Sequence, residues 1–381
     1  MKRLFVGGDE RIRTSDGLPH AGFRNRCVRP LCHVSELACP MDYRNQRGWF
    51  AASIGRSLRL AVLGGTERKR DDDSEIRECE QAPVMICYTS RTMRISKAII
   101  PVAGMGTRFL PATKAQPKEM LPVVDKPVIQ YIVEEAVAAG IEEIIFVTAI
   151  GKRALEDHFD RNFELEYRLE QKKKFKELES IEAIGKLAKF AFVRQQKPLG
   201  DGHAVLAAAP FVGDDESVAI FFGDDIIDSS TPAIGQLIET YNNHGGPVIA
   251  LQEVPKESVS SYGVIDGKQI TDREWKISKF VEKPKLEDAP SRLAFVGRAI
   301  LTPEILNILK TQEPGKDGEI RLADAFGTYL AQGGALYGNQ FIGDRYDCGN
   351  KLQFVIAQIQ MGLKHPEVEE GLKAYLKSLH V

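Results

Sequence analysis

From residue 97 onward, short apolar runs alternate with stretches of helical spacing, and that alternation is what most constrains the fold. KAIIPVA (97–103) is a brief apolar run ending at glycine, the form of a strand buried on both faces of a parallel sheet. KPVIQYIVEEAVAAG (126–140) carries apolar residues at helical spacing and stops at Gly140. EIIFVTA (143–149), FAFVRQ (190–195), SVAIFFGDD (217–225) and PVIALQEV (247–254) read as four more strands. Between them lie a charged, helix-prone stretch over 163–187 with a solvated face, a helix from GHAVLAAAPFV, and a helix from PAIGQLIETYNN. Strands alternating with helices imply βαβ units and a parallel sheet covered on both faces. After residue 255 the strands shorten (YGVID, KISKFVEKP, RLAFVGRAIL), and helices return at TPEILNILK, EIRLADAFGTYLAQGG and QFVIAQIQMGL. The expected architecture is one α/β domain with inserted β-rich elements on its substrate side, closed by C-terminal helices.

Residues 1–92 do not share this texture. They hold 14 Arg and 2 Lys against 12 acidic residues, net +4; the remainder is net −6, which gives the −2 of the whole chain. Five of the six cysteines (Cys27, Cys32, Cys39, Cys79, Cys87) lie there, and sustained periodicity is lacking. A zinc site from His20, Cys27, Cys32, His33 and Cys39 would lack any CxxC pair. A disordered tail is the plainer reading. The segment also resembles spurious translation beside bacterial RNA genes, with Met93 as the true start, and no function is placed on it. The near-neutral charge gives no support for a nucleic-acid partner. No run of about 18 apolar residues predicts a membrane span, and the N-terminus makes a poor signal peptide, so a cytoplasmic location is expected.

The chemistry-bearing stretch is IPVAGMGTRFLPATKAQPKEMLP (100–122). A turn after a parallel strand sits at the carboxyl edge of the sheet, where α/β proteins bind ligands. Gly104 and Gly106 expose N–H groups suited to phosphate oxygens; Arg108 adds a forked cation and Lys118 a point charge, with Lys114 nearby. The dinucleotide fingerprint fails because its third glycine is Phe109, and the Walker A loop is absent. A tight turn with a solvated basic patch would look the same. Asp224 and Asp225 end an apolar strand, where they suit Mg²⁺ or would cap a helix. Glu282 and Lys283 read equally as an exposed ion pair. Gln195 ends the third strand, taken to lie beside the first, and its amide can both donate to and accept from a pyrimidine edge. His203 and Cys348 read as structural.

GxGTRxxPxTxxxPKxMLPxxxKPxIxY closely resembles the signature of sugar-phosphate nucleotidyltransferases. The longer match, from about 94 to 375, resembles their bacterial UTP–glucose-1-phosphate uridylyltransferase branch through GHAV, GDD, YGV, VEKPK, VGR and DCGNK. The resemblance implies a Rossmann-like mixed, mainly parallel sheet of the nucleotide-diphospho-sugar transferase type. It implies a nucleotide-binding half over about 93–255 and a sugar-binding half with the C-terminal helices over about 256–381. It assigns Arg108, Lys118 and Lys283 to catalysis, and Ala103, Gly104, Gly106, Thr107, Gln195 and Gly200 to the nucleotide. Gly263, Glu282, Val296 and Gly297 fall to the sugar, and Asp224 and Asp347 to Mg²⁺, with Asp225 and Asp228 secondary. UTP and glucose 1-phosphate would be the substrates, in a homodimer or homotetramer. A glucose-1-phosphate thymidylyltransferase or other hexose-1-phosphate nucleotidyltransferase, and a regulator that binds nucleotide-sugar without turnover, are the alternatives. The chain departs from the pattern at Asp201, where relatives carry an apolar residue, placing an acid near the expected base or ribose pocket.

Overall fold

The continuous apolar runs become strands whose alternate side chains feed two separate cores. In a computed structural model the described residues are 94–315 and 317–379, with the pairs Ser53–Ile54 and Leu58–Arg59. The chain divides into two units, Met1–Thr89 and Ser90–Val381. In the first, the two pairs form a short antiparallel ladder; the zinc, disordered-tail and start-site readings concern residues outside those described. In the second, β1 (Lys97–Pro101), β2 (Glu143–Thr148), β3 (Lys189–Arg194) and β4 (Val218–Phe221) lie parallel in the order β3-β2-β1-β4. Ala98 and Ile100 enter one apolar core with α1 (Val128–Ala138), while Ile99 enters the other with α5 (Asp201–Ala208). Phe146 and its neighbours Ile145 and Val147 divide the same way, which is why these strands carry no polar alternation.

Past β4 the sheet becomes mixed. β9 (Leu293–Leu301) runs antiparallel to β4 and also pairs antiparallel with β6 (Val248–Glu253). β7 (Gly263–Gln269) and β8 (Glu274–Glu282) form a hairpin; β8 pairs with β10 (Leu336–Gln340), and β10 lies parallel to β6. The full order is β6-β10-β8-β7-β9-β4-β1-β2-β3. The mixed, mainly parallel sheet with a β-rich insertion is thus as expected. Helices α6 (Ala233–His244), α7 (Pro303–Thr311), α8 (Leu322–Ala331) and α9 (Lys351–Gly362) also fall on predicted stretches.

Three expectations need correction. The run 217–225 is not one strand: it stops at Phe221, turns through Gly223, and restarts as β5 (Asp225–Asp228), antiparallel to β11 (Asp344–Asp347) with Asp225 opposite Asp347. A Cβ on Gly223 would come within 2.7 Å of Val102, so the turn packs directly onto the end of β1. The charged stretch 163–187 is two helices, α3 (Phe163–Gln171) and α4 (Phe175–Gly185), broken where Lys173 takes φ 55°. And β2 lies between β1 and β3, so Gln195 stands one strand further from the glycine turn than expected. The sequence reading also passed over α2 (Arg153–Phe159), α10 (Glu369–Ser378), β10 and β11. No helix among the described residues is long and apolar enough to cross a membrane.

The turn carrying Lys118 is anchored by a buried ion pair, Glu119 to Lys152 at 2.7 Å, with side chains 1% and 7% exposed. Burial pushes the Glu119 carboxyl up, against the pull of Lys152 and Lys118. Replacing Glu119 by glutamine leaves the Lys152 ammonium buried without a counter-charge. A loss of about 3–5 kcal/mol is expected in urea unfolding; an unchanged midpoint would show that the pair contributes nothing.

Candidate functional site

The glycine turn follows β1 at the carboxyl edge of the sheet. Gly106 has φ 64°, and a Cβ there would press on Lys118 Cβ at 3.1 Å, so glycine is required. Thr113 Oγ1 donates to Gly106 O at 2.7 Å, closing the turn. Gly104 is exposed, and an added Cβ would meet nothing within 4 Å. The protein's own packing does not demand glycine at 104, whereas close approach of a ligand does. Ala103 is half-buried; Thr107 and Arg108 are exposed beside it, and Lys114 points to solvent on a separate turn.

The turn at Gly223–Asp224 and the DCGN loop meet through the β5–β11 ladder. Cys348 N donates to Asp224 O at 2.8 Å, and Gly349 N to Asp347 Oδ1 at 2.9 Å. Gly349 is the meeting point. A Cβ there would lie 2.6 Å from Asp224 Oδ2, 2.9 Å from Asp347 Oδ1 and 3.4 Å from Arg108 Nη1. Lys118 Nζ donates to Asp224 Oδ2 at 2.5 Å, and Arg108 Nη1 points to Gly349 O at 3.5 Å. Burial acts to raise the Asp224 carboxyl, but Lys118, Arg345 and Arg108 outweigh it and hold it below the usual carboxylate range. Burial acts to lower Lys118, and Asp224 and Glu119 more than restore it, so it stays a cation. Two carboxylate oxygens converging beside the buried Gly349 fit a hard divalent cation that takes its other ligands from phosphate and water. Among the described residues no third acidic, histidine or cysteine ligand joins them.

Asp225 does not face this point. Its carboxylate is 2.7 Å from Arg345 Nη2, and burial, with Asp224 and Asp347 adding to it, pushes its carboxyl up to about 6. Asp228 lies at the far end of β5 and pairs with Lys364. Cys348 is buried, which pushes its thiol up and leaves it a packing residue.

The sugar-side residues gather next to the acidic turn. Gly263 lies opposite Glu282 in the β7–β8 register, and a Cβ on Gly263 would come 2.9 Å from Glu282 Oε2 and collide with the Phe280 ring. Lys283 Nζ is 3.2 Å from Glu282 Oε1. Its backbone takes φ 44°, held by Lys283 N donating to Tyr262 O at 3.0 Å. Gly297, after the buried Val296, has φ 52°; its carbonyl accepts from Phe222 N at 2.8 Å, and any Cβ on it would overlap the Asp225 carboxylate.

On the nucleotide side, Gln195 is buried and its Nε2 donates to Gly200 O at 3.0 Å and faces His203 Nδ1 at 3.0 Å. His203 therefore orients the amide, in keeping with a structural role. Gly200 has φ 101°, and a Cβ there would come within 2.5 Å of Ile320 O. Asp201, unassigned from sequence, accepts from Gly202 N at 2.7 Å and Leu322 N at 3.1 Å. It staples the start of α5 to the start of α8. Arg298 went unread as well. It is fully buried, pairs with Glu135, and donates to Gly297 O at 3.0 Å and Asp225 O at 2.8 Å.

A glycine turn and two cations thus lie opposite converging acids at the carboxyl edge of a Rossmann-like sheet, an arrangement suited to binding phosphate groups. The chain belongs to the nucleotidyl transferase family, whose model matches residues 97–361. A UTP–glucose-1-phosphate uridylyltransferase of Staphylococcus epidermidis is 51% identical over 288 residues, 76% of this chain and 99% of the relative. A second enzyme of that name, from Staphylococcus saprophyticus, is 51% identical over 286 residues, 75% of this chain and 98% of its own length. Among solved structures, a UDP-glucose pyrophosphorylase complexed with UDP-glucose is 42% identical, covering 71% of this chain and all of its own, with TM-score 0.65. A UTP-bound UGPase from Acinetobacter baumannii is 41% identical, covering 75% of this chain and all of its own, with TM-score 0.70.

Proposed function

We infer that the protein transfers the uridylyl group of UTP to glucose 1-phosphate, giving UDP-glucose and pyrophosphate. The observation that carries this reading is the convergence of Arg108, Asp224 and Asp347 around Gly349, with Lys118 bonded to Asp224. The sugar phosphate is anionic near neutral pH, so no general base is needed. The difficulty is bringing two anions together, and it is met by positioning and by charge neutralisation. A phosphate oxygen of glucose 1-phosphate attacks the α-phosphorus in line, and the bond to the β-phosphate oxygen breaks. The glycine turn and Arg108 hold the triphosphate and stabilise the departing pyrophosphate. Lys118 turns from Asp224 to the α-phosphate. Gln195, with the backbone of Ala103, Gly104 and Gly200, takes the uracil edge. Lys283 aligns the attacking phosphate, Glu282 binds sugar hydroxyls, and the backbone of Gly263, Val296 and Gly297 lines the hexose. Asp224 and Asp347 would hold Mg²⁺, which when bound neutralises phosphate charge. A cytoplasmic location and assembly as a dimer or tetramer belong to the same reading.

The test is pyrophosphate release from glucose 1-phosphate and Mg²⁺ with UTP, dTTP, ATP, CTP and GTP in turn. Strong UTP-selective release is expected. Equal release with dTTP would move the assignment to a thymidylyltransferase, and no release from folded protein with any hexose 1-phosphate would leave a binding protein.

A further inference from the structure

We propose that Arg345 is a positioning residue for this reaction, fixing the sugar-phosphate loop against the acidic turn; the proposal rests on the functional reading above. Arg345 lies on β11 opposite Ile227 of β5, and its side chain is 8% exposed. Arg345 Nη2 lies 2.7 Å from Asp225 Oδ1, an ion pair without hydrogen-bond geometry, and Arg345 Nε has no hydrogen-bond partner among the described residues. Its carbon lies 5.6 Å from the centroid of the Tyr262 ring. These two neighbours belong to different halves of the site. Asp225 directly follows Asp224. Tyr262 directly precedes Gly263, and its carbonyl holds the Lys283 N–H at 3.0 Å in the left-handed conformation that sets the direction of the Lys283 side chain.

The acidic turn is otherwise tied to the sheet through Arg298, which donates to Asp225 O, and to the DCGN loop through Cys348 N. Arg345 adds the link to the loop that carries Lys283. The chain of contact runs from Lys283 through Tyr262 and Arg345 to Asp225 and Asp224.

The simpler role would be a counter-ion for a buried carboxylate. A counter-ion needs only charge. The link needs a planar cation that reaches the carboxylate with one nitrogen while its plane lies over the Tyr262 ring, which guanidinium supplies and ammonium does not. The two roles therefore separate by substitution. In the full chain, Arg345→Lys keeps the charge and loses the fork. Arg345→Met with Asp225→Asn removes the charge and its orphaned partner together. Tyr262→Leu leaves the Arg345–Asp225 pair and removes the ring.

The readouts are thermal midpoint, UTP affinity by calorimetry, and kcat and KM for glucose 1-phosphate. Positioning predicts UTP affinity within twofold of the unaltered protein. It also predicts kcat lowered about tenfold or more, short of the 10²-fold that a 1 Å misplacement can cost, and a raised KM for glucose 1-phosphate. A folded variant of either Arg345 type with kcat within threefold of the unaltered protein would overturn it. Should both lose the fold, Tyr262→Leu decides: a kcat deficit at unchanged UTP affinity supports the link, and full kcat overturns it. An unaltered protein that releases no pyrophosphate would instead refute the functional reading itself.

Discussion

Replacing Arg108 by alanine lowers turnover about 10²–10³-fold, equivalent to about 3–4 kcal/mol of transition-state stabilisation. The size follows from what Arg108 does and does not do in the resting protein. Its side chain is exposed, and its contact is a long 3.5 Å approach to Gly349 O. It contributes little to folding, so truncation leaves the fold intact and removes a charge from the point where pyrophosphate departs. Lys283→Ala should match it in size, since the Lys283 side chain, more than half exposed, pairs with Glu282 at 3.2 Å among the described residues. The two should differ in kind. Loss of Arg108 should weaken UTP binding, and loss of Lys283 should raise KM for glucose 1-phosphate. Circular dichroism and initial rates check both; near-normal turnover in either folded variant would remove that residue from the mechanism.

What the sequence discloses and what it hides follow one physical division. Strands buried on both faces announce themselves locally, because Ala98, Ile99 and Ile100 must all be apolar whichever core they enter. The glycine turn is legible because φ 64° and the close Lys118 side chain select glycine at 106. Pairings between distant segments leave no local trace. Gly223 marks a candidate break in FFGDD, but nothing nearby announces that the chain resumes as a strand, because the residues that pair with β5 are those of β11, far along the chain. For the same reason Asp225 looked like a companion metal ligand, although its carboxylate is committed to Arg345. Asp201 looked like an intruder in a binding pocket, and is a staple between two helix starts. Lys172–Lys174 carry neither glycine nor proline to mark the break between α3 and α4.

Replacing Lys118 by methionine should produce two effects of opposite sign. Turnover falls about 10²–10³-fold, because no ammonium remains to neutralise the α-phosphate. Divalent-metal binding to the nucleotide-free protein becomes tighter. In the resting site Lys118 Nζ sits 2.5 Å from Asp224 Oδ2, one of the two oxygens that converge with Asp347 on Gly349. A cation entering without nucleotide must displace that ammonium. The ion pair also holds Asp224 ionised, so the competition is for a carboxylate already charged and shaped for a cation. A metal arriving on the triphosphate meets no such barrier, since the α-phosphate draws Lys118 away as it delivers the metal. Methionine keeps the bulk of the side chain and removes the competitor. Mn²⁺ titration followed by electron paramagnetic resonance reads the effect without turnover: affinity should rise in Lys118→Met without UTP and stay near the unaltered value with UTP present. Equal Mn²⁺ affinity in the two nucleotide-free proteins would show that Lys118 does not guard Asp224, and would leave it only its role at the α-phosphate.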